Sequence, residues 1–313
     1  MKKYACLLLF ALLLNGCDDG DLTPEIFDFT DVSIQNCTDT YELLYKLKNQ
    51  ESLLLQMPEE TLINEVGDQE FDINNSTFKL VYRTYNGTVA TANICDAIRP
   101  STPNVTNELY AISGKIKIST TATYTTNTTE NSTRISGYSH IISFEDVTYS
   151  QSAGDQIGPS FVFGTFVTDA DDLNLTFKEA VDQCTDSKQV YNYNTGNATS
   201  FTIDNIESSL IVNEATPAGQ PRTGLISSTN NLVTYKIYEG LITDTYFCNT
   251  TTPSTPAVKE TWKGLNGGVI EVTTTTLGTA FKHVIVFKNV ELTNGNVSFS
   301  LGSSFLYGEL ITN

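Results

Sequence analysis

The chain has 313 residues, with 36 Asp and Glu against 18 Lys and Arg and a formal net charge of −18. The length fits about two domains, each large enough to bury a core of its own. The charge excludes nucleic acid as a partner and electrostatic docking on anionic lipid headgroups, both of which need clustered Lys and Arg.

The amino terminus reads as a secretory leader. Lys2 and Lys3 precede an apolar run from Ala5 to Leu14, which is too short to span a bilayer and matches the apolar region of a signal peptide. The run ends in Leu14-Asn15-Gly16-Cys17, which resembles the lipobox of bacterial lipoproteins: an aliphatic residue, a small residue, then the cysteine. Asn15 departs from the usual pattern. The resemblance implies cleavage before Cys17, acylation of its thiol and new amine, and therefore a membrane partner held through a lipid anchor. Asp18-Asp19-Gly20-Asp21 then resembles the acidic stretch behind the anchor of surface lipoproteins of Bacteroidota-type bacteria. In that group it implies display on the outer face of the outer membrane. In enterobacteria-like systems the same Asp implies retention at the inner membrane, and the periplasm-facing alternative stays open. Residues 1–16 are thus read as the signal peptide and 17–26 as the lipidated cysteine and its tether.

Beyond the tether the chain is written twice. Tyr82-Arg83-Thr84-Tyr85-Asn86-Gly87 returns as Tyr235-Lys236-Ile237-Tyr238-Glu239-Gly240. Cys95 and Pro100-Ser101-Thr102-Pro103 return, at the same offset, as Cys248 and Pro253-Ser254-Thr255-Pro256. Gly114–Thr120 matches Gly268–Thr274, and His140–Val147 matches His283–Val290. Phe163-Gly164 matches Tyr307-Gly308, and Cys37 matches Cys184. A string kept in register over this distance marks an internal duplication. The copies run over 27–167 and 173–313, joined by the acidic linker 168–172. That linker reads as a solvated tether, with a Ca²⁺ site between the copies as the alternative. Length differences fall in the Thr/Asn-rich stretch 120–132 and near 205–220, which reads as exposed loop.

Within the copies, period-two alternation over Phe78–Arg83, Ile116–Ile118 and Ile270–Val272 predicts half-buried strands, and His140–Val147 predicts a more buried one. Pro58–Glu65, with a first-turn proline and acids following, predicts a short helix. Strands without long helices between them predict an all-β fold: two tandem homologous antiparallel β-sandwich-like domains, or flattened barrels.

Four cysteines remain in the copies, and exported proteins hold disulfides. Of the three possible pairings, the duplication selects Cys37–Cys95 and Cys184–Cys248, one bridge per copy. Zinc fails on ligand spacing. The only histidines, His140 and His283, are equivalent. They are either a repeated catalytic or ligand-binding imidazole or residues heading a core strand, and one histidine per copy weighs toward the core. Of the tyrosines in each Tyr-x-x-Tyr-x-Gly element, one is expected in the core; the other, Tyr85 or Tyr238, is a candidate ligand contact. Trp262 is expected in the core. No phosphate-binding, nucleophile-elbow, zinc-protease or dinucleotide motif occurs, so no catalytic residue, metal or cofactor is assigned. Glu59-Glu60 offers paired acids, but the second copy does not repeat them. The expected function is a surface-displayed binding or adhesion module for a glycan or protein ligand. The alternatives are an enzyme or enzyme accessory acting on polysaccharide, and a structural envelope component.

Overall fold

The computed structural model describes residues 28–37, 42–150, 154–194, 196 and 198–313. The leader, Cys17 and the acidic tether lie outside the described residues. Strands dominate. The first copy holds β1 (Gln35–Asn36), β2 (Leu43–Lys48), β3 (Glu51–Gln56), β4 (Gly67–Asp72), β5 (Lys79–Tyr85), β6 (Val105–Asn127), β7 (Ser132–Tyr149), β8 (Gln156–Ile157) and β9 (Phe161–Asp169). A five-residue helix, α1 (Thr91–Cys95), lies between β5 and β6. The second copy holds β10 (Ala180–Gln183), β11 (Val190–Asn194), β12 (Thr199–Asp204), β13 (Arg222–Leu225), β14 (Leu232–Tyr238), β15 (Val258–Gly264) and β16 (Val269–Leu277). It ends with β17 (Ala280–Lys288), β18 (Glu291–Asn294), β19 (Val297–Ser300) and β20 (Phe305–Thr312). A 3₁₀ turn, Asp244–Tyr246, stands where α1 does in the first copy.

The strands follow the alternation in the sequence. In β16, Ile270, Val272 and Thr274 are buried while Thr273 and Thr275 are exposed; in β6, Ile116, Ile118 and Thr120 repeat the pattern. The helix expected over Pro58–Glu65 does not form. Glu60 adopts a left-handed φ of 60°, and the Thr61 hydroxyl donates to the Pro58 carbonyl at 2.7 Å. One helical turn does not offset its nucleation cost without an apolar face to bury, and these local bonds offer the backbone a turn instead.

The two copies share pairings and registers. β3 pairs β5 with Leu53 opposite Tyr82, and β12 pairs β14 with Phe201 opposite Tyr235. β5 pairs β6 with Tyr82 opposite Leu109, and β14 pairs β15 with Tyr235 opposite Trp262. A register shift follows Thr84 in one copy and Ile237 in the other, and the peptides before Pro103 and Pro256 are both cis. The disulfides are those the duplication predicts: Cys37–Cys95 and Cys184–Cys248, each with Cα atoms 5.2 Å apart.

The compact bodies do not coincide with the copies. Of the described residues, unit 1 comprises those up to Leu62, Gln69–Ile118 and Ile141–Thr165; unit 2 comprises Ile63–Asp68, Ser119–His140 and Phe166–Asn313. The stretch expected to be an exposed loop is instead the far half of a long hairpin, because β6 continues to Asn127 and β7 resumes at Ser132. This arm belongs to unit 2 because its apolar side chains are buried there. Ile135 and Tyr138 are each 7% exposed within the unit 2 core, and Ala122 packs against it. Gly137 permits the approach: a Cβ there would stand 2.4 Å from the Thr168 carbonyl oxygen.

One sheet pairs its strands in the order β1-β2-β3-β5-β6-β7-β8, with β4 on β6 and β9 on β7; β6, β7 and β9 contribute residues to both units. In unit 2 the order is β13-β16-β17-β20-β10-β11-β12-β14-β15-β18-β19. One pairing departs from the antiparallel expectation: β10 runs parallel to β20 and antiparallel to β11, joining the two halves of a sandwich. The halves meet over aromatic rings. Phe201 on β12, fully buried, lies 5.4 Å from Phe287 on β17 and 5.6 Å from Tyr307 on β20, both edge-on. The Tyr307 hydroxyl donates across to the Phe201 carbonyl at 2.8 Å, with the Val190 carbonyl at 3.1 Å. Each such ring contributes roughly 2–3 kcal/mol by leaving water.

Candidate functional site

The four residues read from sequence as candidate ligand contacts are all interior. Tyr85 is 5% and Tyr238 4% exposed. Alternation does put Tyr82 and Tyr85 on opposite faces of β5, but both faces are covered. Tyr85 packs with Tyr45, Leu54, Val81, Val89 and Ile94, under the segment that Cys95 ties to Cys37. Tyr238 packs with Tyr191, Ile242, Tyr246 and Phe247 under the Cys248 segment. Each hydroxyl is spent on a buried serine: Tyr85 with Ser52 at 3.0 Å, Tyr238 with Ser200 at 2.9 Å. Burial pushes the Tyr238 phenol up to about 12. The disulfide cap thus turns an expected contact surface into a second small core. Trp262 takes the expected core place, 2% exposed and edge-on to Phe299 at 5.1 Å.

His140 and His283 are fully buried, each in the same chain of hydrogen bonds. His140 Nδ1 lies 2.9 Å from the Thr120 hydroxyl and Nε2 lies 2.9 Å from the Thr168 hydroxyl, which donates to Asn64 Oδ1 at 2.5 Å. His283 repeats this with Thr274 at 2.8 Å, Thr312 at 2.8 Å and Asn213 at 2.5 Å. Because the second threonine gives its proton to the asparagine, it accepts from Nε2–H. Nδ1 is then the acceptor, and each ring is neutral with both nitrogens used. Burial lowers the pKa of both, and for His283 the Arg222 guanidinium adds repulsion. A base whose pKa falls on folding leaves stability intact above its unfolded value, near 6.5, and costs stability as pH drops below it. Urea midpoints are therefore expected to fall between pH 7.5 and 5.0, and to fall less in His140→Gln and His283→Gln. Parallel pH profiles for the variants and the parent would remove these rings from the acid response.

Unit 2 carries several concavities. One, of about 130 Å³, lies beside Asp171 and Glu260. Lys259 Nζ lies 2.6 Å from Asp171, the Trp262 indole N–H donates to Glu260 at 2.9 Å, and the two carboxyl groups are within hydrogen-bonding reach of each other. The bond from Lys259 holds Asp171 below its ordinary pKa, while burial raises Glu260. The charge of Asp171 adds to the rise at Glu260. The pair does not straddle a glycosidic bond, where carboxyl groups stand about 5–9.5 Å apart. Glu59 and Glu60, the paired acids noted in sequence, are exposed in a turn. Among the described residues, no group of three or more His, Cys, Asp or Glu is placed to hold a metal ion. A second concavity of about 270 Å³ lies over the Cys248 segment, with Asp204, Lys236 and Tyr246 in its walls.

A cleft of about 470 Å³ on unit 2 is within the usual range for small-molecule sites. Its walls combine Leu173, Leu301 and Leu306 with Arg134, Glu130 and Glu179. Arg134 comes from the arm. Its Nη1 donates to the carbonyls of Thr133 at 2.6 Å and Ser300 at 2.8 Å, and its guanidinium lies 5.4 Å from the centre of the Phe299 ring. Among the described residues, no carboxylate is within ion-pair distance of Arg134. Burial lowers its pKa, and the charge of Glu130 opposes that shift only in part. Sequence reasoning passed over Arg134 because it sits just after a Thr/Asn-rich stretch read as loop. The usable signal was an arginine close to two large apolar residues, Ile135 and Tyr138, in a strongly acidic chain.

Comparison of the chain with protein-family models, with curated proteins and with solved structures finds no match.

Proposed function

We propose that this chain is a lipid-anchored envelope protein, displayed at the outer membrane surface, whose β units form a binding module. The observation that carries the binding role is the 470 Å³ cleft with its half-buried, unpaired guanidinium. Apolar walls with a few fixed polar groups are what a small-ligand site requires, and an unpaired buried cation is costly unless it has a partner to meet. Supporting the anchor are the apolar leader, Cys17 and the acidic stretch behind it. A second reading, an enzyme acting on polysaccharide, draws on Asp171 and Glu260, whose pKa values diverge as those of an acid–base pair do. Their hydrogen-bonding contact weighs against glycoside chemistry, and the binding reading is preferred.

Intact cells carrying the chain are expected to expose it to added protease and to label it with palmitate at Cys17. Cys17→Ser should lose the label and accumulate as precursor or be released. Label that persists in Cys17→Ser overturns the anchor, and protection from protease on intact cells overturns surface display. For the binding role, the full chain in detergent is screened on a glycan array and by pull-down. Retention of neither saccharide nor protein overturns it.

A further inference from the structure

The cleft in unit 2 has a chemistry more specific than that of a generic pocket. A guanidinium presents five N–H donors in a planar fork. In Arg134 only Nη1 is occupied, by two main-chain carbonyls. Among the described residues, Nε and the second amino group hold no hydrogen-bond partner, and Glu130 acts on the guanidinium through its charge without an ion-pair contact. The other cation of the cleft, Lys178, is already taken by Asp182 at 3.0 Å. Arg134 is also held in place, tied to Ser300 on β19 and set over Phe299, so little side-chain freedom remains to be lost when an anion arrives.

The rest of the lining narrows the anion. Glu130 and Glu179 share the cleft, and a carboxylate only accepts hydrogen bonds. A fatty acid would set its tail against them, and a phosphate would add a second negative charge beside them. A ligand with one carboxylate and several hydroxyl donors satisfies both, while the C–H faces of its ring meet Leu173, Leu301 and Leu306. Resting on the binding reading above, we propose that this cleft takes an acidic sugar of the uronic type, its carboxylate paired bidentately with the free N–H groups of Arg134.

The test is calorimetric titration of the full chain in detergent with glucuronate and galacturonate, against glucose and galactose. The uronates are expected to bind at least about 10-fold more tightly than the neutral sugars, the usual span for a charge-assisted pair. Arg134→Gln should weaken uronate binding by roughly 10- to 100-fold, to about the level of the neutral sugars. Arg134→Lys should rescue it only in part, because an ammonium lacks the fork. Leu306→Trp, at a half-exposed position in the lining, should block the cleft without touching Arg134, which keeps the test open if Arg134→Gln does not fold. Uronate binding unchanged by Arg134→Gln or by Leu306→Trp overturns the proposal. Neutral sugars that bind as well as uronates, and are lost in Leu306→Trp, overturn the acidic class while leaving the binding module standing. Binding of none of the four sugars overturns the acidic-sugar site, and the module falls with it only if the array and pull-down are also empty.

Discussion

Replacing Cys184 and Cys248 together by alanine is expected to lower the melting midpoint of unit 2 by on the order of 10 °C. The bridge closes a loop of 64 residues, for which the loss of unfolded-chain entropy is worth about 4 kcal/mol. For a body of this size each kcal/mol moves the midpoint by about 2–4 °C. The consequence extends past entropy, because the tether holds Tyr246 and Phe247 over Tyr238 and Tyr191. Trp262 is the only tryptophan and lies in unit 2, so its fluorescence reports this body alone. Cys37→Ala with Cys95→Ala should leave the Trp262 transition in place while destabilising unit 1 by a similar amount, read from far-ultraviolet circular dichroism. If Trp262 melts at the same temperature with and without Cys184–Cys248, the clamp contributes nothing to unit 2. Non-reducing peptide mapping of the parent checks the pairing itself, and a peptide joining Cys37 or Cys95 to Cys184 or Cys248 would contradict it.

The arm yields the second large effect. Ile135→Ala with Tyr138→Ala is expected to destabilise unit 2 by about 5 kcal/mol, although both residues belong to the first copy. Both are buried in the core that contains Phe201, Trp262 and Phe287. Truncating them leaves a cavity beside Trp262 that the surrounding strands fill only in part. The same substitutions at exposed arm positions, such as Thr125→Ala and Thr126→Ala, should be nearly silent. The observable is the urea midpoint of Trp262 fluorescence. An unmoved midpoint in the Ile135/Tyr138 double variant would mean that the arm is not part of the unit 2 core.

Much of the architecture was legible because it is written in short-range signals. Alternation in Ile116–Ile118 and Ile270–Val272 predicts strands, and those positions are buried every second residue as a pleated strand demands. The Pro58–Glu65 segment shows the limit of such signals. A proline followed by acids favours a helix start, but nothing in a local window says whether a helix there will have a face to bury. The second limit is Tyr85 and Tyr238. Period two assigns them a face of the sheet, but whether that face meets water depends on where the disulfide places α1 or the 3₁₀ turn.

By itself the sequence determined the β class, the duplication and the pairing of the four cysteines in the copies. Periodicity is local, and one copy serves as a template for the other. Only the tertiary structure decided that residues 119–140 join unit 2, that both histidines are sealed inside Thr–His–Thr–Asn chains, and that Arg134 stands unpaired in a cleft. These outcomes depend on which surfaces meet after the chain has folded. Thr120, His140, Thr168 and Asn64 are far apart in the chain, and neither their spacing nor their identity announces that they will share a hydrogen-bond chain. The same holds for the cleft, where Arg134 lies more than a hundred residues from Leu301 and Leu306, and only the folding of the arm onto β19 brings them together.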